Sequence, residues 1–129
     1  MSQRNDAGFM TLLANAATAR HLLCTCNSDG EWEICAGATQ IPLGSVQGSA
    51  ATAASDPLTC KLLNAPGSHK LVAGAAIARG ASVCAIAGGK IDDSALAGSY
   101  EIGIAVEAAA ADGDVIEVIP VGSIGVVNP

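Results

Sequence analysis

Ser99-Tyr-Glu-Ile-Gly-Ile-Ala-Val-Glu-Ala-Ala-Ala-Ala-Asp-Gly-Asp-Val-Ile-Glu-Val-Ile-Pro-Val121 reads as two β-strands joined by a turn around Asp112-Gly113-Asp114. In a strand, successive side chains point to opposite faces. Ile102, Ile104 and Val106 therefore share one face, and Gly103, Ala105 and Glu107 the other. In the returning strand Val115, Glu117, Ile119 and Val121 alternate with Ile116, Val118 and Pro120. Both faces are largely apolar, as expected for a small barrel or a sheet covered on both sides. Pro120 cannot donate a ladder hydrogen bond, so it should mark an edge or the end of its strand. The stretch holds no cysteine, histidine or serine–base pair, which suggests a protein that works through its shape.

The same short-strand rhythm extends towards the N-terminus. Leu58 to Leu63 is a candidate strand, followed by an Asn64-Ala-Pro-Gly67 turn. Leu71 to Ile77 is another, and Arg79-Gly80 turns into Ser82 to Ala87. Gly88-Gly89-Lys90 makes a tight connection, and Asp92-Asp93 begins a loop. Leu22 to Thr25 and Trp32 to Cys35 flank the turn chemistry of Asn27-Ser-Asp-Gly30 and form a hairpin. Residues 47–57 are low in complexity and read as an exposed loop. Ile41-Pro-Leu-Gly-Ser-Val46 echoes Ile119-Pro-Val-Gly-Ser-Ile124, either as two similar strand-turn units or by coincidence in an Ala- and Gly-rich chain. Many short strands at close spacing give an all-β barrel or sandwich.

The N-terminus differs. Residues 1–10 are polar and irregular and read as a flexible arm. Leu12, Leu13, Ala16, Ala17 and Arg20 fall at helical spacing with Thr11 as a possible N-cap. A short helix and an extended arm both fit residues 11–23. The expected organisation is thus an arm over residues 1–20, extended or partly helical, and a β-rich domain over 21–129. Removing residues 1–13 should leave that domain folded.

Composition sharpens the functional reading. The chain has 129 residues, 50% of them apolar, yet its aromatics are only Phe9, Trp32 and Tyr100. Aromatic side chains usually dominate core energetics, so the core must be thin and built from Val, Ile, Leu and Ala, with association adding stability. Only 14% of residues are charged and the net charge is −6. Such a surface is poor for a free monomer. The scattered cations Arg4, Arg20, Lys61, Lys70, Arg79 and Lys90 argue against nucleic-acid binding, which needs clustered positive charge. No stretch reads as a signal peptide, and no run approaches the roughly 18 apolar residues of a membrane span. Synthesis in the cytoplasm and no membrane partner are expected. The five cysteines then serve as small buried hydrophobes.

Candidate chemistry is sparse. Cys24, Cys26 and Cys35, with His21 nearby, invite a zinc reading, but lack the two-residue gaps common in tetrahedral sites. Thiols packed on one face of a hairpin are the favoured reading, and no metal is expected. His21 and His69 have no catalytic signature around them. Asp92-Asp93 and Asp112/Asp114 read as turn formers. Lys90 near a hairpin tip resembles the cofactor-bearing lysine of lipoyl and biotinyl carrier domains, without their flanking Asp-Lys-Ala or Met-Lys-Met. A carrier or small-molecule-binding β-domain centred on Lys90 is the alternative function.

Asn64-Ala-Pro-Gly, Ile77-Ala-Arg-Gly-Ala-Ser-Val83, Gly89-Lys90, Ile102-Gly-Ile-Ala-Val-Glu-Ala-Ala109 and Asp112-Gly-Asp-Val-Ile-Glu-Val118 together resemble the small capsid decoration, or cement, proteins of tailed bacteriophages. The resemblance covers about residues 58–122; residues 1–57 match no named family. It implies a β-rich domain, often trimeric, that clamps the outside of the head and stabilises it without catalysis or cofactor. The implied partners are the major capsid protein and further copies of the chain, and the implied location is the capsid exterior of the virion. On the residues themselves, Arg4, Phe9, Met10, Leu12 and Leu13 are the candidates for capsid or subunit contact. They place apolar groups on a segment with no obvious core role.

Overall fold

A computed structural model describes residues 8–37, 40–93 and 99–121. Ten strands run in chain order: β1 Phe9–Leu13, β2 Leu23–Cys26, β3 Trp32–Ile34, β4 Gly44–Val46, β5 Pro57–Leu62, β6 His69–Val72, β7 Ser82–Ala85, β8 Ile91–Asp92, β9 Glu101–Ala105 and β10 Val115–Pro120. They form two five-stranded antiparallel sheets, ordered β1-β5-β4-β2-β3 and β6-β10-β9-β7-β8. The protein is therefore all-β, built from two curled sheets in a half-barrel and sandwich arrangement.

Local chemistry sets the expected elements. The Asn27 side-chain oxygen accepts from the backbone N–H groups of Asp29 at 3.0 Å and Glu31 at 2.9 Å, which turns β2 into β3. Gly30 supplies the positive φ of 76° that this turn needs. The β9–β10 pair forms as read, with Val118 opposite Ala105 and Pro120 opposite Gly103. Pro120 closes its strand. In β10, Ile116 and Val118 are buried while Val115 and Ile119 face out, so one face is covered and the other exposed.

The two sheets are the same unit built twice. A shift of 59 residues carries the Ala14–Trp32 bridge onto Ala73–Ile91, and the Leu23–Ser45 pair onto Ser82–Ile104. With one residue fewer after β9, a shift of 58 carries β5 onto β10. Leu13 opposite Pro57 thus becomes Val72 opposite Val115, and Met10 opposite Cys60 becomes His69 opposite Val118. The turn before the last strand also repeats. Asp56 accepts from the N–H groups of Thr52 and Ala53, and Asp114 from those of Ala110 and Ala111. In sequence the duplication survives best as Ala14-Asn-Ala-Ala-Thr-Ala-Arg20 against Ala73-Gly-Ala-Ala-Ile-Ala-Arg79. The Ile41/Ile119 echo is a different correspondence: the counterpart of β4 is β9, and residues 122–124 lie outside the described residues.

Of the two conformations open to the N-terminal stretch, the extended one is found. It is a ladder strand and not a free arm, since β1 pairs with β5 along its whole length, from Phe9 opposite Lys61 to Leu13 opposite Pro57. Its alternation of exposed Phe9, Thr11 and Leu13 with half-buried Met10 and Leu12 is a period of two. Ala14 then bridges Trp32, and the Trp32 indole N–H donates to the Met10 carbonyl at 3.1 Å, so the first sheet curls back on itself. Removing residues 1–13 would delete a strand of this unit.

The first core gathers Ala14, Cys24, Trp32, Val46, Ala51, Leu58 and Cys60. The second gathers Leu71, Val83, Ile91, Ile102, Ile116 and Val118 with their neighbours. It also takes in Leu23, Cys35 and Leu63 from the first unit. The side of unit one thereby plugs the end of unit two, and the chain has a continuous joint between its halves.

Candidate functional site

The joint holds the one buried side-chain pair with the look of chemistry. Ser45 in β4 and His69 in β6 are both fully buried, and Ser45 Oγ lies 2.6 Å from His69 Nδ1. The Gln47 amide donates to Ser45 Oγ at 2.8 Å and to the Lys70 carbonyl at 2.9 Å, and its oxygen accepts from the Lys70 N–H at 3.1 Å. Ser45 Oγ thus accepts from Gln47 and shares a second hydrogen bond with Nδ1, whose donor is set by the imidazole tautomer. A nucleophile must be reached by its substrate, and both groups are sealed between the units. The arrangement ties the two sheets together.

Burial, reinforced by the nearby Lys61 charge and partly offset by the Leu62 backbone, lowers His69 to about 4. The free imidazole titrates near 6.5. Unfolding therefore takes up a proton between these values, and stability must fall as pH drops through the window from about 6.5 to about 4. The contribution is complete above 6.5 and gone below 4. Urea midpoints should decline across this range by an amount equivalent to at most about 3 kcal/mol. His69→Gln should flatten the decline; an equal decline in that variant would remove His69 from the account.

Packing accounts for four of the five cysteines, whereas Cys26, the last residue of β2, is not the buried hydrophobe expected of it. Cys24, Cys35, Cys60 and Cys84 are buried and Cys26 is exposed. The repeat carries Cys24 onto Val83 and Cys60 onto Val118, so these thiols stand where the second unit uses valines. Hydrogen bonding to Cys24 and burial push the Cys60 thiol up, keeping it protonated. Among the described residues, no three of His, Cys, Asp and Glu come together in a metal-holding group. His21 sits at the start of β2 with a positive φ of 70°, where the second unit has Gly80.

Lys90 does follow the β7–β8 connection, at Ala87–Gly89. That connection does not protrude. The Gly89 N–H donates to the Cys35 carbonyl at 2.9 Å, and a Cβ on Gly89 would sit 2.9 Å from the Leu23 carbonyl oxygen. The Lys90 ammonium is paired with Asp112 at 2.7 Å. Asp114 and Asp92 accept backbone N–H groups in their own turns, as their sequence setting suggested, and Asp112 takes the ion pair instead. Asp56, which sequence reasoning passed over inside a low-complexity stretch, makes the turn equivalent to that of Asp114.

Each unit also leaves large apolar side chains exposed. In the first unit Phe9 (46%) and Leu13 (49%) project from β1, with Pro57 exposed beside Leu13. In the second, Val115 and Ile119 project from β10, the counterpart of β5, and Val121 follows at 56%, while the counterparts of Phe9 and Leu13 are the half-buried Ser68 and Val72. Of the candidate contact residues, Phe9 and Leu13 thus face solvent. Met10 and Leu12 turn inward against the first core, and Arg4 lies outside the described residues. Beside the second strip, the Leu63–Ser68 connection, Val106, Glu117 and Ile119 line an open cleft of about 650 Å³. Lys61 fastens its rim by donating to the Ser68 carbonyl at 2.7 Å, and the Ser68 hydroxyl is hydrogen-bonded to Glu117.

No helix among the described residues is long and apolar enough to cross a membrane. Comparison with protein-family models finds no match, and neither the curated proteins nor the solved structures hold a similar one.

Proposed function

We propose that this chain is a capsid decoration protein of a tailed bacteriophage. It is made in the host cytoplasm, joins the virion on the outer face of the head, and stabilises the shell through contacts with the major capsid protein and with copies of itself in a homotrimer. The observation that carries the proposal is a strip of exposed apolar side chains on each half of a rigid β-framework: Phe9, Leu13 and Pro57 in one unit, Val115 and Ile119 in the other. Scattered apolar residues on a surface are ordinary. Two apolar strips, held at fixed spacing in one chain, suit a target that itself repeats. Each contact is small, and simultaneous engagement multiplies weak contacts into firm attachment. The work needs no bond-making chemistry, which is consistent with a buried Ser45–His69 pair and an ion-paired Lys90.

The experiment is co-sedimentation of the purified protein with undecorated heads. Wild type should pellet with the heads in a saturable manner. Phe9→Asp/Leu13→Asp, both outward-facing, should lower affinity at least tenfold, since fully burying one such side chain contributes about 1.5–3 kcal/mol. Its circular dichroism should match wild type. Wild type left in the supernatant at saturating concentration would overturn the proposal.

A further inference from the structure

The internal repeat exposes an asymmetry that points to a partner. The joint between the units is head-to-tail. The side of unit one, carrying Leu23, Ser45 and Leu63, covers the end of unit two, formed by His69, Leu71, Ile102 and Gly89. All seven residues are buried.

The repeat gives each of these surfaces a second copy, and among the described residues nothing covers either second copy. The equivalents of Leu23, Ser45 and Leu63 are Ser82, Ile104 and Val121. Ser82 is exposed, Ile104 half-buried and Val121 56% exposed. They line a shallow depression of about 70 Å³ together with Glu101 and Gly103. The equivalents of His69, Leu71, Ile102 and Gly89 are Met10, Leu12, Leu43 and Gly30. Met10, Leu12 and Leu43 are only half-buried around the first core. Gly30 has the same left-handed backbone as Gly89, φ 76° against 72°, yet nothing lies within 4 Å of where its Cβ would be. If the units were related by a two-fold axis, Gly30 would be packed as Gly89 is.

We propose that copies of the chain associate by repeating this joint between molecules. The open end of unit one, at Met10, Leu12, Leu43 and the Gly30 turn, docks on the Ser82–Ile104–Val121 side of unit two in the next copy. The occupant is a second copy because the molecule already contains one worked instance of the same two surfaces in contact. Where the joint pairs polar Ser45 with polar His69, the uncovered surfaces present apolar Ile104 and apolar Met10, so the exchange is matched on both sides. Such a contact uses different patches on the two partners, so it propagates head to tail and closes into a ring where the rotation allows. The inference rests on the self-association within the proposed function and is independent of the capsid.

Sedimentation velocity on the free protein provides the test. Wild type should sediment as a multiple of 12.6 kDa, the mass of one chain. Gly30→Asn disables the donor end, since asparagine tolerates a left-handed backbone but adds bulk where the equivalent Gly89 has no room. Ile104→Lys/Val121→Lys disables the acceptor side at outward-facing positions. Each variant alone should be monomeric, with at least a tenfold loss of self-affinity. Mixed in equal amounts they should form a one-to-one dimer through the single intact pair of surfaces. Circular dichroism identical to wild type checks folding; Ser82→Lys at an exposed site supplies a second acceptor variant. A monomeric wild type at high concentration would overturn the inference. So would a mixture that stays monomeric while wild type assembles, or one variant that still assembles alone, which is the result same-face pairing gives. Head binding with a monomeric protein sinks only the joint, and a head-to-tail oligomer that ignores heads sinks only the capsid reading.

Discussion

Gly103→Ala should cost about 3 kcal/mol or more, at or beyond the upper end of ordinary overpacking. Gly103 lies in the middle of β9, between Val83 of β7 and Pro120 of β10. A Cβ there would overlap the Ile119 carbonyl oxygen and sit 2.8 Å from the Pro120 Cα. Both are backbone atoms of a neighbouring strand, so no rotamer change can relieve the clash. Either β10 moves away and the sheet opens, or β9 does. The repeat supplies an internal comparison. Gly44 is the equivalent residue, and its Cβ would sit 2.9 Å from the Lys61 carbonyl oxygen and 3.2 Å from the Cys60 Cβ. Gly44→Ala should therefore also destabilise, by less. Gly48 has nothing within 4 Å, and Gly48→Ala should stay within about 0.5 kcal/mol of wild type. Urea midpoints should fall in that order. A Gly103→Ala protein as stable as Gly48→Ala would contradict the close approach of β9 and β10.

Trp32→Ala should cost about 3–5 kcal/mol, as for large aromatic truncations in a core. Trp32 is 1% exposed and is the largest side chain of a core otherwise made of small residues. It also performs a second task. Its backbone bridges Ala14, and its indole N–H reaches the Met10 carbonyl, so it fastens the last strand of the first sheet to the first. The second unit uses Ile91 at this position with the Ala73 bridge alone. Trp32→Phe keeps much of the bulk and loses the hydrogen bond, and should cost about 1–2 kcal/mol. Thermal melts followed by circular dichroism read both variants. A Trp32→Ala melt within a degree or two of wild type would show that the first sheet does not depend on this closure.

The fold was legible wherever a segment carried its own instructions. Asn27 and Gly30 write a hairpin turn into four residues, and the alternation from Val115 to Pro120 writes a strand. The duplication was not legible, for a physical reason. Its surviving identities are alanines and glycines, which recur throughout this chain, with isolated pairs such as Leu12/Leu71, Arg20/Arg79 and Asp56/Asp114, while many of its core positions exchange chemically different apolar residues. Cys24 stands for Val83, Cys60 for Val118 and Trp32 for Ile91. A buried site selects volume more strongly than identity, so the repeat persists in ladder register after it has faded from the letters. The β1 stretch misled in another way. Phe-Met-Thr-Leu-Leu followed by Ala-Asn-Ala-Ala satisfies a helical spacing as well as an alternating one, and only the β5 ladder decides between them. The joint was also beyond local reading, because Ser45 and His69 meet through tertiary packing across 24 residues.

The covering of one unit's end by the other's side has a consequence for how the chain reaches its native state. The first core is complete within residues 10–62, whereas the second borrows Leu23, Cys35 and Leu63. Synthesis proceeds from the N-terminus, so the first unit can finish before the second has left the ribosome. It then offers a formed surface on which the second unit condenses. The reverse order would leave the second core without its floor. The polarity of the joint thus gives the molecule a direction in time as well as in space: the early half is a template for the late one.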